Sequence, residues 1–465
     1  MALTDLFDRF LLDAPLAVMA RGLLQRALKA DDLDRLFEQV AQQQYTRELL
    51  FSSVVEMLAG VALRVHPSLR QAYLKHPAGD DVSLSALYQK VNGLETALGP
   101  AVVRHSAARM GEVITALGPL PAPWRPGYRI KILDGNHLAG TQKRLDVLKG
   151  TRAAALPGES LAVLDPQKRL FLDLIACPDA YTQERALLRE VLPQVEANDV
   201  WVADRNFCTP RFLCGIAGRG AFFAIREHEQ LNIRYEGPLR RIGRTATGEV
   251  FEQEAVVTDE QAEGPTALRE VRVRRVVIRL DKQTRDGETE VSMLSNLPEA
   301  VADALALAEL YLQRWTVEVA FAELTVVLRC EVETLGYPQA ALFCFAVAVL
   351  VANVLAVVRA AVRAEHGDKR AQELSIFQAA LDVSGVYRGM MVALPAEEWR
   401  RYEEMPIDQF AAWLRRAARA VDWEAGLKKS RRGPKKPPAD KPSAARNRHV
   451  STHRLLQEHK NRSRL

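Results

Sequence analysis

What the chain lacks narrows it first. Its 465 residues include five cysteines, Cys177, Cys208, Cys214, Cys330 and Cys344, scattered and without a C-x-x-C pair. That gives no sign of a disulfide framework or a zinc site, and a reducing cytoplasm is the expected compartment. The opening residues 1–9 have no basic-then-apolar layout, so no signal peptide is expected. No internal repeat is visible, and no Ser, Tyr or Cys nucleophile motif stands out. Long apolar runs are scarce too. The exception, residues 340–358, is 19 residues long with Asn353 alone polar. That reaches the minimum for a membrane span. The run is alanine-rich, follows Pro338 closely and stands alone, so a buried core helix and no membrane partner are expected.

What is present reads as a soluble globular protein, 48% hydrophobic and 26% charged, and long enough for two to four domains. The net charge of +5 hides an asymmetry. Residues 428–465 hold 13 Lys/Arg against 2 Asp/Glu, whereas the other 427 residues hold 50 against 56. A mildly acidic body with a concentrated polycation points to nucleic acid better than the whole-chain charge does.

The pattern changes along the chain. Residues 1–118 show apolar spacings of three and four, as in Leu24, Leu28, Leu33, Leu36, Phe37 and Val40, and Ser83 suits a helix cap. The proline-rich string 119–127 breaks any helix and reads as a linker. Over 128–226 short β-rich runs at 128–133, 161–164, 170–174, 200–203 and 221–225 alternate with helical stretches near 183–195 and 210–217. Three strands, a helix, a strand, a helix and a strand is the order of a ribonuclease-H-like α/β core. Residues 227–297 look like an all-β insertion, and 298–360 like the end of the core. Residues 361–427 form a helical C-terminal region, and 428–465 a basic tail that is disordered when free.

Three strings carry chemistry. Asp134 ends Ile132-Leu133 and precedes Gly135; Asp204 ends Val202-Ala203 and precedes Arg205. Tyr311, Arg314 and Glu318, spaced by three and four, share one face of a long helical run. Each has an ordinary reading as well. Asp-Gly is a turn signal, Asp204 can cap a helix or pair with Arg205, and Arg314–Glu318 can be an intrahelical ion pair. A fold that gathers all three acids would hold hard oxygen ligands as a catalytic pair of Mg²⁺ ions requires. The rival carboxylate, Glu323, sits five positions beyond Glu318 and points elsewhere.

The three motifs together resemble the bacterial insertion-sequence DDE transposases of the Y-R-E type, the insertion sequence four group, over roughly residues 40–360. The resemblance implies an acidic triad, Asp134, Asp204 and Glu318, binding two Mg²⁺ ions for which Mn²⁺ may substitute. It implies a DNA transposase that cleaves transposon ends and joins them to target DNA. Region 1–118 would bind the DNA end and Tyr311 and Arg314 its phosphates, helped by Arg205. The tail residues Lys428, Lys429, Arg431 and Arg432 add sequence-independent affinity through counterion release. Two ends must be paired, so a homodimer on nucleoid DNA is the expected assembly. The chain departs from the family at Thr325, where a Lys is usual and Arg329 is the nearest substitute. It departs also at Asn136, and in having no Trp between Glu227 and Pro298. The same acids would serve a nuclease without strand transfer, or remain in a catalytically silent DNA-binding descendant.

Overall fold

The computed structural model describes residues 3–44, 48–77, 82–118, 120–138, 157–262, 268–284, 287–332, 335–423 and 451–462. Its N-terminal part is helical: α1 (Leu3–Asp13), α2 (Pro15–Ala27), α3 (Ala30–Val40), α4 (Phe51–Ala62), α5 (Leu69–Tyr73), α6 (Leu84–Gly93) and α7 (Leu98–Ala116). Local chemistry sets several ends. The hydroxyls of Ser68 and Ser83 accept from the amides of Gln71 and Ala86, capping α5 and α6. Gly118, at φ +108°, takes the left-handed conformation that stops α7 ahead of the proline-rich string.

Among the described residues, nine strands form one mixed sheet. They are β1 (Arg129–His137), β2 (Glu159–Asp165), β3 (Leu170–Cys177), β4 (Asp199–Ala203), β5 (Phe222–Arg226), β6 (Ile233–Thr245), β7 (Gly248–Thr258), β8 (Glu270–Leu280) and β9 (Glu290–Ser295). Their order is β3-β2-β1-β4-β5-β9-β8-β7-β6. β1, β4 and β5 are mutually parallel and all other pairs antiparallel. The crossovers between the parallel strands are α8 (Glu184–Val191) and α9 (Pro210–Ala217). The strands of 227–297 are no separate layer: β9 docks on β5, pairing Ala224 with Ser295 and Ile225 with Leu294.

After the sheet come α10 (Ala304–Leu312), α11 (Trp315–Val326), α12 (Pro338–Glu373), α13 (Ile376–Ala393), α14 (Ala396–Glu404), α15 (Ile407–Arg419) and α16 (Thr452–Arg462). The apolar run near 340–358 is the buried first part of α12, which packs on α7, α4, α2 and β3 and breaks at Gly367 (φ +81°). Its one polar residue explains itself. The Asn353 amide nitrogen donates to the Phe171 carbonyl oxygen (3.0 Å) and the Ser106 hydroxyl (3.0 Å), while its oxygen accepts from the Phe171 amide (2.8 Å). A buried amide so satisfied fixes the register of α12 on β3, a specificity that an apolar substitute would lose.

One finding departs from the reading of 428–465 as a wholly disordered tail: α16 is folded. Asp179 holds it, accepting from the Ser451 hydroxyl (2.7 Å) and from Arg454 Nε (2.7 Å). The stretch 424–450 lies outside the described residues.

Candidate active site

β1 alternates. Ile132 belongs to the large core beneath the helices and Leu133 to the smaller core around α8 and α9, so Asp134 takes the side of Ile132 and Gly135 and His137 the side of Leu133. Parallel pairing sets Leu133 beside Ala203, which brings Asp204, the first residue past β4, up next to Asp134. Asp204 also opens the tight turn Arg205–Phe207, its carbonyl oxygen accepting from the Phe207 amide (3.0 Å).

Glu318 arrives from the other end of the insertion. Arg274, nearly buried in β8, donates to the carbonyl oxygens of Leu297 (3.2 Å) and Ala302 (2.7 Å), and the Asp303 carboxylate caps α10 by accepting from Ala306 N (2.8 Å). The sequence suggested one continuous helix through Tyr311, Arg314 and Glu318. The structure divides it: the amides of Gln313 and Arg314 bond to the carbonyl oxygens of Leu310 and Tyr311, three residues back, and α11 starts afresh at Trp315. The two halves rest on different supports, α10 on β5–β8 and α11 on β1, α12 and α13. Tyr311 is therefore buried at the end of α10, and Glu318 stands exposed in the first turn of α11.

Arg314 occupies the junction with its side chain 12% exposed. Its Nη2 lies 2.7 Å from Glu318 Oε1 and its Nη1 3.8 Å from Asp134 Oδ2. Tyr311, Glu318, Asp204 and Asp134 all favour its charged form, against the opposing effect of burial. Burial pushes the Asp134 carboxyl up to about 6; Arg314 and the Gly135 amide (3.0 Å) oppose this, and the charges of Glu318 and Asp204 reinforce it. The three acids thus lie within one electrostatic neighbourhood, with a guanidinium among them. Burial raises the Tyr311 hydroxyl too, so it stays protonated, and its oxygen accepts from the Arg314 guanidinium.

A divalent cation suits this donor set. Carboxylate oxygens are hard ligands, and a positive group already stands where they meet. Among the described residues, however, the one group of three with ligand atoms within 4.8 Å of one another is a different set: His137, Glu159 and Glu184.

The other predicted residues disperse. Arg205 is exposed and lies 3.4 Å from Glu288 Oε1. Arg329 is not at the acids: its amide donates to the Ala62 carbonyl oxygen (2.9 Å) and its guanidinium to that of Pro67. The Thr325 hydroxyl folds back on the carbonyl oxygens of Phe321 (3.1 Å) and Ala322 (3.3 Å). Glu323 points away, paired with the nearly buried Arg359 (3.0 Å). Among the described residues the buried Asn136 amide nitrogen has no partner. Lys428, Lys429, Arg431 and Arg432 lie outside the described residues.

Sequence reasoning missed Arg226, whose Nη1 lies 4.0 Å from Asp204 Oδ1 while its Nη2 pairs with Glu288. A signal existed. An Arg ending a strand parallel to β4, whose next residue is Asp204, must stand abreast of that Asp. None of the cysteines whose acidity is shifted suits a nucleophile: burial pushes Cys208, Cys330 and Cys344 up to about 12 and Cys214 to about 11.

Residues 126–351 match the family described as Transposase DDE domain. No curated protein matches the sequence. Among solved structures, a cryo-EM piggyBac transposase synaptic complex with hairpin DNA superposes at a TM-score of 0.39 and 10% identity, covering 86% of this chain and 85% of that one. A superposition that loose decides nothing about fold or activity.

Proposed function

We propose that this chain, whose residues 126–351 match the Transposase DDE domain family, is a DNA-transposing enzyme, a bacterial insertion-sequence transposase of the Y-R-E type whose metal-binding acids are Asp134, Asp204 and Glu318. The observation that carries the assignment is Arg314, whose guanidinium reaches both Asp134 and Glu318 and is favoured by the charge of Asp204. The element order β1-β2-β3-α8-β4-α9-β5, with β1, β4 and β5 parallel, supports a ribonuclease-H-like core that the strands β6–β9 extend.

DDE domains use divalent metal ions, and for this chain the ions are taken to be two Mg²⁺, replaceable by Mn²⁺. When bound, they would lower the pKa of an attacking water or 3′-hydroxyl and stabilise the leaving oxygen. The chain's own residues do the rest. Asp134, Asp204 and Glu318 supply the oxygens. Arg314, held by Tyr311, is a planar donor suited to bidentate pairing with a DNA phosphate once cations satisfy the acids. Arg226 and Arg205, now sharing Glu288, stand beside Asp204 as a second phosphate-facing pair. End cleavage and strand transfer are then one reaction with different nucleophiles, and no covalent protein–DNA intermediate is required.

Residues 1–118 would bind the transposon end. The basic tail would add affinity that falls with salt, and two copies would pair two ends on nucleoid DNA in the cytoplasm. The test is a labelled transposon end with a supplied target. Nicking and joining should require Mg²⁺ or Mn²⁺ and vanish in Asp134→Asn, Asp204→Asn and Glu318→Gln while DNA binding persists. Cleavage retained in all three variants overturns the assignment. Cleavage without joining would leave a nuclease, and binding without cleavage a silent descendant.

A further inference from the structure

On the face of β1 opposite Asp134 lies a second group of metal-capable side chains. His137 ends β1 and is the register partner of Glu159, the first residue of β2. Glu184 is the first residue of α8, and one ligand atom from each of the three lies within 4.8 Å of the others. Proximity of acids alone would mean little. Glu159 supplies the independent observation: its side chain is 0% exposed, and among the described residues neither carboxylate oxygen has a hydrogen-bond partner. Among the described residues its one ion-pair candidate is the His137 imidazole, with Nε2 3.9 Å away. An unpaired buried carboxylate costs several kcal/mol. Burial, then the charges of Glu184 and Asp179, push it up to about 8. Protonation would remove the charge but leave a buried hydroxyl with no acceptor. Asp179 gives no help, since Arg454 and Ser451 already claim its carboxylate.

The backbone is shaped around this group. A Cβ on Gly135 would lie 2.0 Å from Glu184 Oε1, so only the bare glycine lets that carboxylate rest on the strand. The Asn206 amide donates to the other oxygen, Oε2, which orients Oε1 toward the cluster. His137, 49% exposed, leaves a path for an ion to enter.

We propose that His137, Glu159 and Glu184 form a second divalent-metal site, distinct from Asp134, Asp204 and Glu318, that takes a transition ion of the Zn²⁺ or Mn²⁺ class. One imidazole and two carboxylates are a mixed nitrogen and oxygen set that favours such ions over Mg²⁺, which prefers oxygens and water. The ion compensates the buried Glu159 and bolts the amino end of α8 to the β1–β2 edge. The proposal does not depend on transposition.

The test uses the full chain carrying Asp134→Asn, Asp204→Asn and Glu318→Gln, so that the first group of acids cannot bind. After treatment with chelator, calorimetry with Zn²⁺ and with Mn²⁺ should still give one equivalent, and Zn²⁺ should raise the melting temperature. Adding His137→Ala, which removes a half-exposed side chain and leaves the core intact, should weaken binding at least about 100-fold. Glu159→Gln, close in shape, should do the same. In crystals the anomalous signal should lie between the three side chains. No retained equivalent, or equal affinity in His137→Ala and Glu159→Gln, overturns the proposal and leaves an adventitious ion only.

Discussion

The two faces of β1 end in acids built on opposite charge logic. On one face Asp134, Asp204 and Glu318 come with their own cation, Arg314, while Arg226 stands next to Asp204. On the other, Glu159 is sealed from solvent, among the described residues both its oxygens are unbonded, and the half-exposed His137 imidazole lies 3.9 Å away. The first arrangement carries its own guanidinium, which metal and DNA would displace in the proposed function. The second is costly without a guest. Burial alone therefore does not separate the proposed reactive centre from the proposed structural one; the two differ in whether the protein supplies a displaceable positive charge.

The largest effect that could break this contrast concerns cleavage. Asp134→Asn, Asp204→Asn and Glu318→Gln should each lower DNA end cleavage by about 10³-fold or more, the size of a lost several-kcal/mol contribution from metal. His137→Ala, assayed beside them on the same labelled end, should lower it by no more than about tenfold. Equal losses in both groups would mean that the two faces are one site.

A smaller effect concerns pH. Because the folded-state pKa of Asp134 is raised, to about 6, its ionisation opposes folding. The stability present below the unfolded pKa, near 4, is lost as pH rises through 6. Asp134→Asn should therefore gain relative to the parent between pH 4 and 8, by at most about 3 kcal/mol. Urea unfolding across that range, without divalent metal, measures it. A flat difference would place the carboxylate in water.

Removing the resident cation gives the complementary result. Arg314→Ala should destabilise the metal-free chain by roughly 1–2 kcal/mol at pH 7.5, and by less at pH 5, where Asp134 is largely protonated. Melting curves at the two pH values decide it. A drop of equal size at both would mean that Arg314 acts through packing rather than charge.

The smallest effect falls on the other face. Gly135→Ala should push the Glu184 carboxylate off the strand and weaken Zn²⁺ binding there about tenfold, or about 1.4 kcal/mol. Calorimetry on the chain lacking the first three acids checks this. Unchanged affinity would remove Glu184 from the ligand set.

Much of the first face is legible in the sequence because its signals are local. Asp134 and Asp204 each end an apolar β run, and the spacing of Tyr311, Arg314 and Glu318 is one that neighbouring turns can bring together. The 19-residue apolar run was legible as a buried helix, but the partners of its lone polar residue, Asn353, were not. Arg226 escaped notice because its meaning depends on the register of β5 beside β4. Arg329 misled for the converse reason: its position in the helical run says nothing of the Pro67 carbonyl oxygen that claims it.

By itself the sequence determined which residues could act as acids and cations and where most core strands and the N-terminal helices lie, since alternation, caps and breakers work over a few residues. Only the tertiary structure decided that β9 joins the insertion to the core sheet, that Arg314 turns in among the acids, and that His137 meets Glu159 and Glu184. Those outcomes depend on strand register and on side chains from distant segments being desolvated together, and no local pattern encodes either.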